Sequence, residues 1–367
     1  MQYFKKSIMP CVLLLGTSTG VFAQTVWTTK VLGGNAFISV AQASPRGALV
    51  GQLVAMSNTT DSVQTSYDGV TWTGRKNAFG MGLFGVALGG PFGVGQGGPI
   101  GQLVAVGQSG MILTSPDGIT WTSRTSPSTK TLYGVTWAGT QWVAVGASGT
   151  ILTSPDGITW TSRGPSLFSS ALYSVISTGT KLVAVGSSSA VLTSPDGVTW
   201  TTQTVAGSLS LQSVTWTGNQ FVAVGGTNAT LLTSPDGVTW TTRTSPSTAY
   251  LYSVTWTGSQ LVAVGSGIIL TSPDGITWTI QNSGGTTPGL RSVISAGTQL
   301  VAVGSTVSAS GTGAILTSPI VGTGVFFRSY KKSIPLHADI HTIDGRRYLL
   351  EMKGANTRFA QSINLVR

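Results

Sequence analysis

Along most of this chain apolar and polar residues alternate in runs of five or six, too short for helices and broken by glycine, serine and threonine. One run, Leu-Tyr-Ser-Val-Thr-Trp at 251–256, has variants starting at Leu132, Leu172, Leu211, Leu290, Leu83 and Phe37. A second, Leu-Val-Ala-Val-Gly, stands at Leu103, Leu182, Leu261 and Leu300; Trp142 or Phe221 leads two further copies, and Leu53-Val54-Ala55-Met56-Ser57 is the most divergent. In this run alternation puts Val on one side of a strand and Leu, Ala and Gly on the other. Both faces are apolar, so each small sheet must be covered on both sides. A third stretch, Thr-Ser-Pro-Asp-Gly-Ile-Thr-Trp-Thr at 114–122, returns at Thr153, Thr193, Thr233 and Thr271, with a looser copy at 65–73.

Pro-Asp-Gly between β-favouring runs predicts a turn: proline presets φ, aspartate bonds back to the backbone, and glycine takes a positive φ cheaply. The hairpin predicted around it joins 112–115 to 119–122, with Thr120 and Thr122 on one face and Ile119 and Trp121 on the other, offering one tryptophan per repeat for burial. The motif aspartates Asp68, Asp117, Asp156, Asp196, Asp236 and Asp274 are 49, 39, 40, 40 and 38 residues apart. Four short strands in about 40 residues, each sheet sandwiched between two others, predict an all-β fold, a seven-bladed β-propeller of four-stranded blades. The first two runs occur seven times but Asp-Gly-x-Thr-Trp only six, because Thr317-Ser318-Pro319 runs into Ile320-Val321-Gly322. Val26-Trp27-Thr28-Thr29-Lys30 matches the missing strand, so the ring is expected to be closed by the N-terminal strand, leaving no open edge.

Outside the repeats, residues 1–23 read as a secretory signal: Lys5 and Lys6, an apolar stretch 8–15, and Val21-Phe22-Ala23 before Gln24. A secreted, periplasmic or cell-surface location follows. Cys11, the single cysteine, lies inside that segment, which argues against disulfides and lipid anchoring, and no later run suits a transmembrane segment. The formal charge of +10 divides unevenly: residues 24–319 hold ten Lys/Arg against seven Asp, and 320–367 hold eight against three acids. A body this close to neutral gives no footprint for nucleic acid. The domain reading is therefore signal peptide 1–23, propeller 24–319, and a basic C-terminal tail 320–367 with a β-hairpin pairing the run 343–352 with 359–366. A Gly-rich connection at 89–99 is expected to be a surface insertion, since no Gly-Lys-Ser/Thr ending makes it a phosphate loop.

The Ser-x-Asp-Gly-x-Thr-Trp copies resemble the BNR or Asp-box repeats of the sialidase-like superfamily and of photosystem II assembly factor-like and YVTN-type propellers. The resemblance spans about 300 residues. It implies the propeller fold and makes the six aspartates structural turn residues at the blade periphery; here Asp and Gly are adjacent where the usual box has a residue between them. In the tail, Asp344-Gly345-Arg346, Tyr348-Leu349-Leu350 and the final Leu365-Val366-Arg367 resemble the C-terminal sorting domains of bacterial surface proteins exported by the type IX route, without the usual Gly-x-Tyr.

Sialidase-like hydrolysis needs a nucleophile with a glutamate base, an acid and an arginine cluster. Residues 24–319 contain no Glu, His or Cys, and Asp61 is their one aspartate outside the motif. No catalytic residues, cofactor or metal are therefore expected. In the tail His337, Asp339 and His341 would share a strand face that could hold a metal, against the plainer reading of solvated residues beside a hairpin. The candidate binding positions follow the leading residue of each Leu-Tyr-Ser-Val-Thr-Trp strand: Ile38, then Phe84, Tyr133, Tyr173, Gln212, Tyr252 and Arg291. They vary, while the valine two residues on, sharing their strand face by alternation, is the same in all seven. A channel mouth of aromatics with an amide and a guanidinium suits a glycan or a peptide; packing between blades is the alternative. The expectation is a monomeric, non-catalytic propeller binding a protein or glycan partner at the cell envelope, with a passive structural repeat protein as the second reading and a sialidase-like hydrolase as the third.

Overall fold

The apolar runs form strands because every second residue finds a cover. In the computed structural model, which describes residues 27–32, 36–43, 52–57, 63–75, 80–90, 101–164, 168–226, 228–281, 288–306, 312–320, 337–341, 347–351 and 364–366, seven four-stranded antiparallel sheets make up the propeller. The segment 1–23 expected to be a signal, Asp61 and most of the Gly-rich connection lie outside the described residues. The innermost strands are Phe37–Ala43, Leu83–Gly89, Leu132–Trp137, Leu172–Ser177, Leu211–Trp216, Leu251–Trp256 and Gly289–Ala296, each packed against the next and the last against the first. The Leu-Val-Ala-Val-Gly strands come second and are buried throughout in blades 3 to 6. Their two faces feed two different cores: Val104 and Val106 of blade 2 pack with Leu132, Ala144, Leu152 and Trp160 of blade 3, while Val143 and Val145 of blade 3 pack with Leu172, Ala184 and Leu192 of blade 4.

Closure follows the strand count. Thr28–Leu32 pairs antiparallel with Gly313–Pro319, Thr28 opposite Thr317 and Leu32 opposite Gly313, completing the seventh blade from the other end of the chain. Trp27 is buried against Val262, Val264, Leu290 and Leu316.

Two local features depart from simple alternation. The outer strand starts at Thr122, not at Ile119, because the turn extends to Trp121; Ile119 is exposed and Trp121 precedes the strand. Each innermost strand also carries a β-bulge, at its second residue in six blades and at Arg291, the third, in the seventh, so that Leu132 pairs with Gly146 but Gly134 with Val145. Strict alternation therefore does not run from Tyr133 to Val135, and the expected shared face fails at that step. Past the bulge, adjacent inner strands are tied by serine: the amides of Val214, Val254 and Val293 donate to Ser174, Ser213 and Ser253 Oγ at 3.4, 3.2 and 3.1 Å.

Residues 323–367 form a separate unit. Arg347–Glu351 pairs with Asn364–Val366, and His337–His341 adds a third strand on the other side, opposite 347–351, which the hairpin reading did not include. Among the described residues no helix is long and apolar enough to cross a membrane.

If Thr28–Leu32 closes the ring, Trp27→Ala should cost about 3 to 5 kcal/mol in denaturant unfolding, the range for removing a buried large aromatic. A chain starting at Gly33 should lose its cooperative transition; wild-type melting of either would contradict this closure.

Candidate functional site

Each blade runs up, down, up and down, so the ring has two chemically different ends. One carries the Asp turns. In blade 2 the Ile119 and Thr120 amides donate to Asp117 Oδ1 at 2.8 and 2.7 Å, Ser115 Oγ donates to the same oxygen at 3.1 Å, and Gly118 N–H donates to Ser115 Oγ at 2.8 Å. Trp121 Nε1 donates to the Gly118 carbonyl at 3.1 Å, which fixes the indole over the turn. Gly118 has φ +70°, and a Cβ there would stand 2.8 Å from Val54 Cγ2 of the preceding blade. The same set recurs at Asp68, Asp156, Asp196, Asp236 and Asp274. Backbone N–H groups of Thr71 and Val70 hold the Asp68 carboxyl far below the ordinary carboxylate range; those of Thr199 and Val198, and of Thr239 and Val238, lower Asp196 and Asp236. These carboxylates are spent on structure.

The turns also join blades, through a residue that the sequence reading passed over. The position leading each second strand is Gln or Lys, and in five blades its side chain donates to the backbone carbonyl of the next blade's turn aspartate: Gln102 to Asp156 and Gln141 to Asp196, Lys181 to Asp236 at 2.8 Å, Gln220 to Asp274 at 2.7 Å, and Gln299 to Asp68 at 3.3 Å, whereas Gln52 Nε2 makes no such bond. Its regular recurrence one residue before Leu-Val-Ala-Val-Gly was the available signal.

At the opposite end the candidate positions meet. Phe84 and Tyr133 pack edge to face at 5.5 Å between ring centres, and Tyr133 and Tyr173 at 5.3 Å. Glycine makes this closeness possible: a Cβ on Gly85 would come within 2.7 Å of the Tyr133 carbonyl oxygen, and one on Gly134 within 2.9 Å of that of Tyr173. A second group forms around Gln212, whose Nε2 donates to Tyr250 Oη at 2.8 Å and to Ser210 Oγ at 2.9 Å. Tyr250 lies 4.8 Å from Tyr252 ring to ring, and the exposed Arg291 guanidinium sits 3.9 Å above the Tyr252 ring. Burial raises the Tyr173 hydroxyl above its ordinary range, with Tyr133 and Tyr250 nearby adding to the shift. The six candidates thus fall into two contact groups at this end, Phe84–Tyr133–Tyr173 and Gln212–Tyr252–Arg291 joined through Tyr250, with Tyr250 near enough to Tyr173 to act on its hydroxyl, while Ile38 is half-buried without a ring partner. Tyr250 was missed. It replaces Thr131 where 244–252 otherwise nearly repeats 125–133, a substitution visible in the sequence.

Among the described residues no group of His, Cys, Asp or Glu could hold a metal ion. The His337, Asp339 and His341 positions lie on one strand of the tail unit.

No protein-family model matches the chain, and no curated protein matches it. Solved structures share the fold. Virginiamycin B lyase from Staphylococcus aureus, as a catalytically inactive variant with quinupristin, is 10% identical with a TM-score of 0.65, over 79% of this chain and 99% of that one. YCF48 from Cyanidioschyzon merolae is 18% identical with a TM-score of 0.60, over 80% and 98%. YCF48 bound to D1 peptide is 15% identical with a TM-score of 0.62, over 81% and 98%. At these identities the likeness establishes the seven-bladed propeller and no more.

The Asp turns set an acid limit on stability. Their folded pKa values lie below the unfolded value, so their contribution is complete above about pH 4 and is lost as pH falls further. All eleven tryptophans lie in the propeller, so their fluorescence isolates its unfolding. The thermal midpoint should be level from about pH 5 to 8, since residues 24–319 hold no His, Glu or Cys, and should fall below about pH 4. A midpoint unchanged at pH 3 would contradict the structural role of these carboxylates.

Proposed function

We propose that this chain is an exported, non-catalytic propeller that holds a segment of a protein partner at the aromatic end of its channel. The observation that carries the proposal is the gathering at one end of two contact groups, Phe84–Tyr133–Tyr173 and Gln212–Tyr250–Tyr252–Arg291, with Tyr250 near Tyr173. Half-buried rings with exposed edges can stack on side chains, while Gln212, the tyrosine hydroxyls and the arginine fork bond to a peptide backbone or carboxylates. YCF48, a propeller of the same fold, has been solved bound to D1 peptide, which supports a peptide over a glycan as the partner.

The non-catalytic half of the reading rests on what the motif carboxylates already do. Six of the seven aspartates in residues 24–319 are locked in turns at the far end of the ring, and burial favours the protonated form of the Tyr173 hydroxyl. A virginiamycin B lyase shares the fold, so the scaffold itself does not decide the matter. Residues 1–23 supply the export signal in this reading, which puts the partner in the cell envelope. The Ser-Pro-Asp-Gly turns, with their aspartate, serine and tryptophan bonds, support kinship with Asp-box repeats.

Retention of an envelope partner by the immobilised protein should weaken by about 1 to 3 kcal/mol in each of Tyr133→Ala, Tyr252→Ala and Arg291→Ala, where the side chain is an anchor. Thr122→Ala on an outer strand should bind as wild type. Full retention by three folded mouth variants would make these packing residues. The purified chain is also expected to show no turnover of sialosides or other glycosides above background; activity abolished by Asp61→Asn would overturn the non-catalytic reading.

A further inference from the structure

The tyrosine end is not the only place where the repeat breaks. At the Asp-turn end the last residue of an inner strand faces the first of the second strand across the sheet, and in three blades that inner residue is tryptophan: Trp137 opposite Trp142, Trp216 opposite Phe221, and Trp256 opposite Leu261. In the first two pairs aromatic packs on aromatic, with centres 5.3 and 4.4 Å apart. In the third the partner is a leucine. The space a ring fills elsewhere becomes a cleft of about 430 Å³ between blades 5 and 6, with Trp256 and Leu261 on one wall, the 217–220 turn on another and the Asp274 turn closing it.

We propose that this cleft binds a neutral sugar residue, the indole of Trp256 serving as the platform. Trp256 is half-buried, so its ring is both held and accessible. Around it stand hydrogen-bonding groups whose own structural bonds leave capacity over. Asn219 Oδ1 accepts from Thr217 Oγ1 at 2.6 Å, which aligns the amide and leaves its NH₂ to donate. Gln220 Nε2 is committed to the Asp274 carbonyl, which leaves Oε1 to accept. The three bonds that form the Asp274 turn all fall on Oδ1, so Oδ2 stays outside them. Gly218 has no atom within 4 Å of where a Cβ would stand, so nothing there obstructs entry. An apolar ring face beside amide donors, an amide acceptor and a carboxylate oxygen matches a pyranose, with one C–H face and a rim of hydroxyls. The one charged side chain on the lining is a carboxylate, which disfavours anionic ligands. Asn219 is specific to this turn: the corresponding residues are Thr140, Thr180 and Ser259.

Leu261→Phe should close the cleft and leave the fold intact, since Phe221 already occupies the same register position in blade 5. Saturation-transfer NMR on the purified chain with methyl β-D-glucopyranoside, methyl β-D-galactopyranoside, methyl α-D-mannopyranoside and N-acetyl-D-glucosamine should show transfer to at least one. Leu261→Phe should weaken that binding at least tenfold and Asn219→Thr several-fold, both with wild-type melting. Should Leu261→Phe itself unfold, Asn219→Thr, on an exposed turn, carries the test alone. No transfer to any of the four at millimolar concentration, or undiminished binding in the folded variants, overturns the proposal. The cleft and the tyrosine arc lie at opposite ends, so Leu261→Phe should keep the protein partner whichever result is found.

Discussion

A sheet with valine on one face and leucine, alanine and glycine on the other cannot stand alone in water, and that double-sided burial governs the rest of the structure. Each blade's second strand is the centre of two cores at once, one shared with the blade before and one with the blade after. A linear stack would leave two bare apolar faces; a ring leaves none. The strand Thr28–Leu32 lets the chain satisfy this constraint, because it makes the seventh blade from both ends and ties the first residues of the propeller to the last. Only in the closed ring do the inner strands crowd round a channel and the turns fall within reach of their neighbours.

Much of this architecture was legible because it repeats. The period, the six motif aspartates and the displaced strand at Trp27 each had several copies against which to be read. What escaped were contacts between blades, which periodicity along the chain does not encode. The Gln and Lys side chains that lead the second strands carry no mark of a partner along the chain, and in the ring they meet the next blade's aspartate carbonyl. The bulge at Tyr133 was hidden because nothing in Leu-Tyr-Gly-Val-Thr-Trp marks the residue that drops out of the pairing. The Pro-Asp-Gly turn ran longer than its three signal residues because the carboxylate organises the two amides that follow it.

The candidate sites lie where one blade departs from the others. Glycine in place of serine at Gly85 and Gly134 draws Phe84, Tyr133 and Tyr173 together, and tyrosine in place of threonine at Tyr250 joins Gln212 to Tyr252. At the other end Trp256 stands opposite the repeat's usual leucine, Leu261, where the two other inner-strand tryptophans face an aromatic, and a cleft lies beside it. The Asp turns, chemically the most conspicuous feature of the sequence, hold their carboxylates in backbone bonds and have a structural task in every blade that carries one. A ring built from near-identical units thus acquires its asymmetry from a few substitutions.

The central claim is that the tyrosine end of the channel is where a protein partner sits. It is tested most directly by placing a photo-activated cross-linking amino acid either at Phe84, within the arc, or at Thr199, exposed on the Asp-turn end, and mapping the cross-linked peptides by mass spectrometry. The account predicts that the probe at Phe84 captures one defined segment of a single envelope protein while the probe at Thr199 captures none of it. Capture of that protein from Thr199 and not from Phe84 would contradict the account and put the binding surface at the other end of the ring.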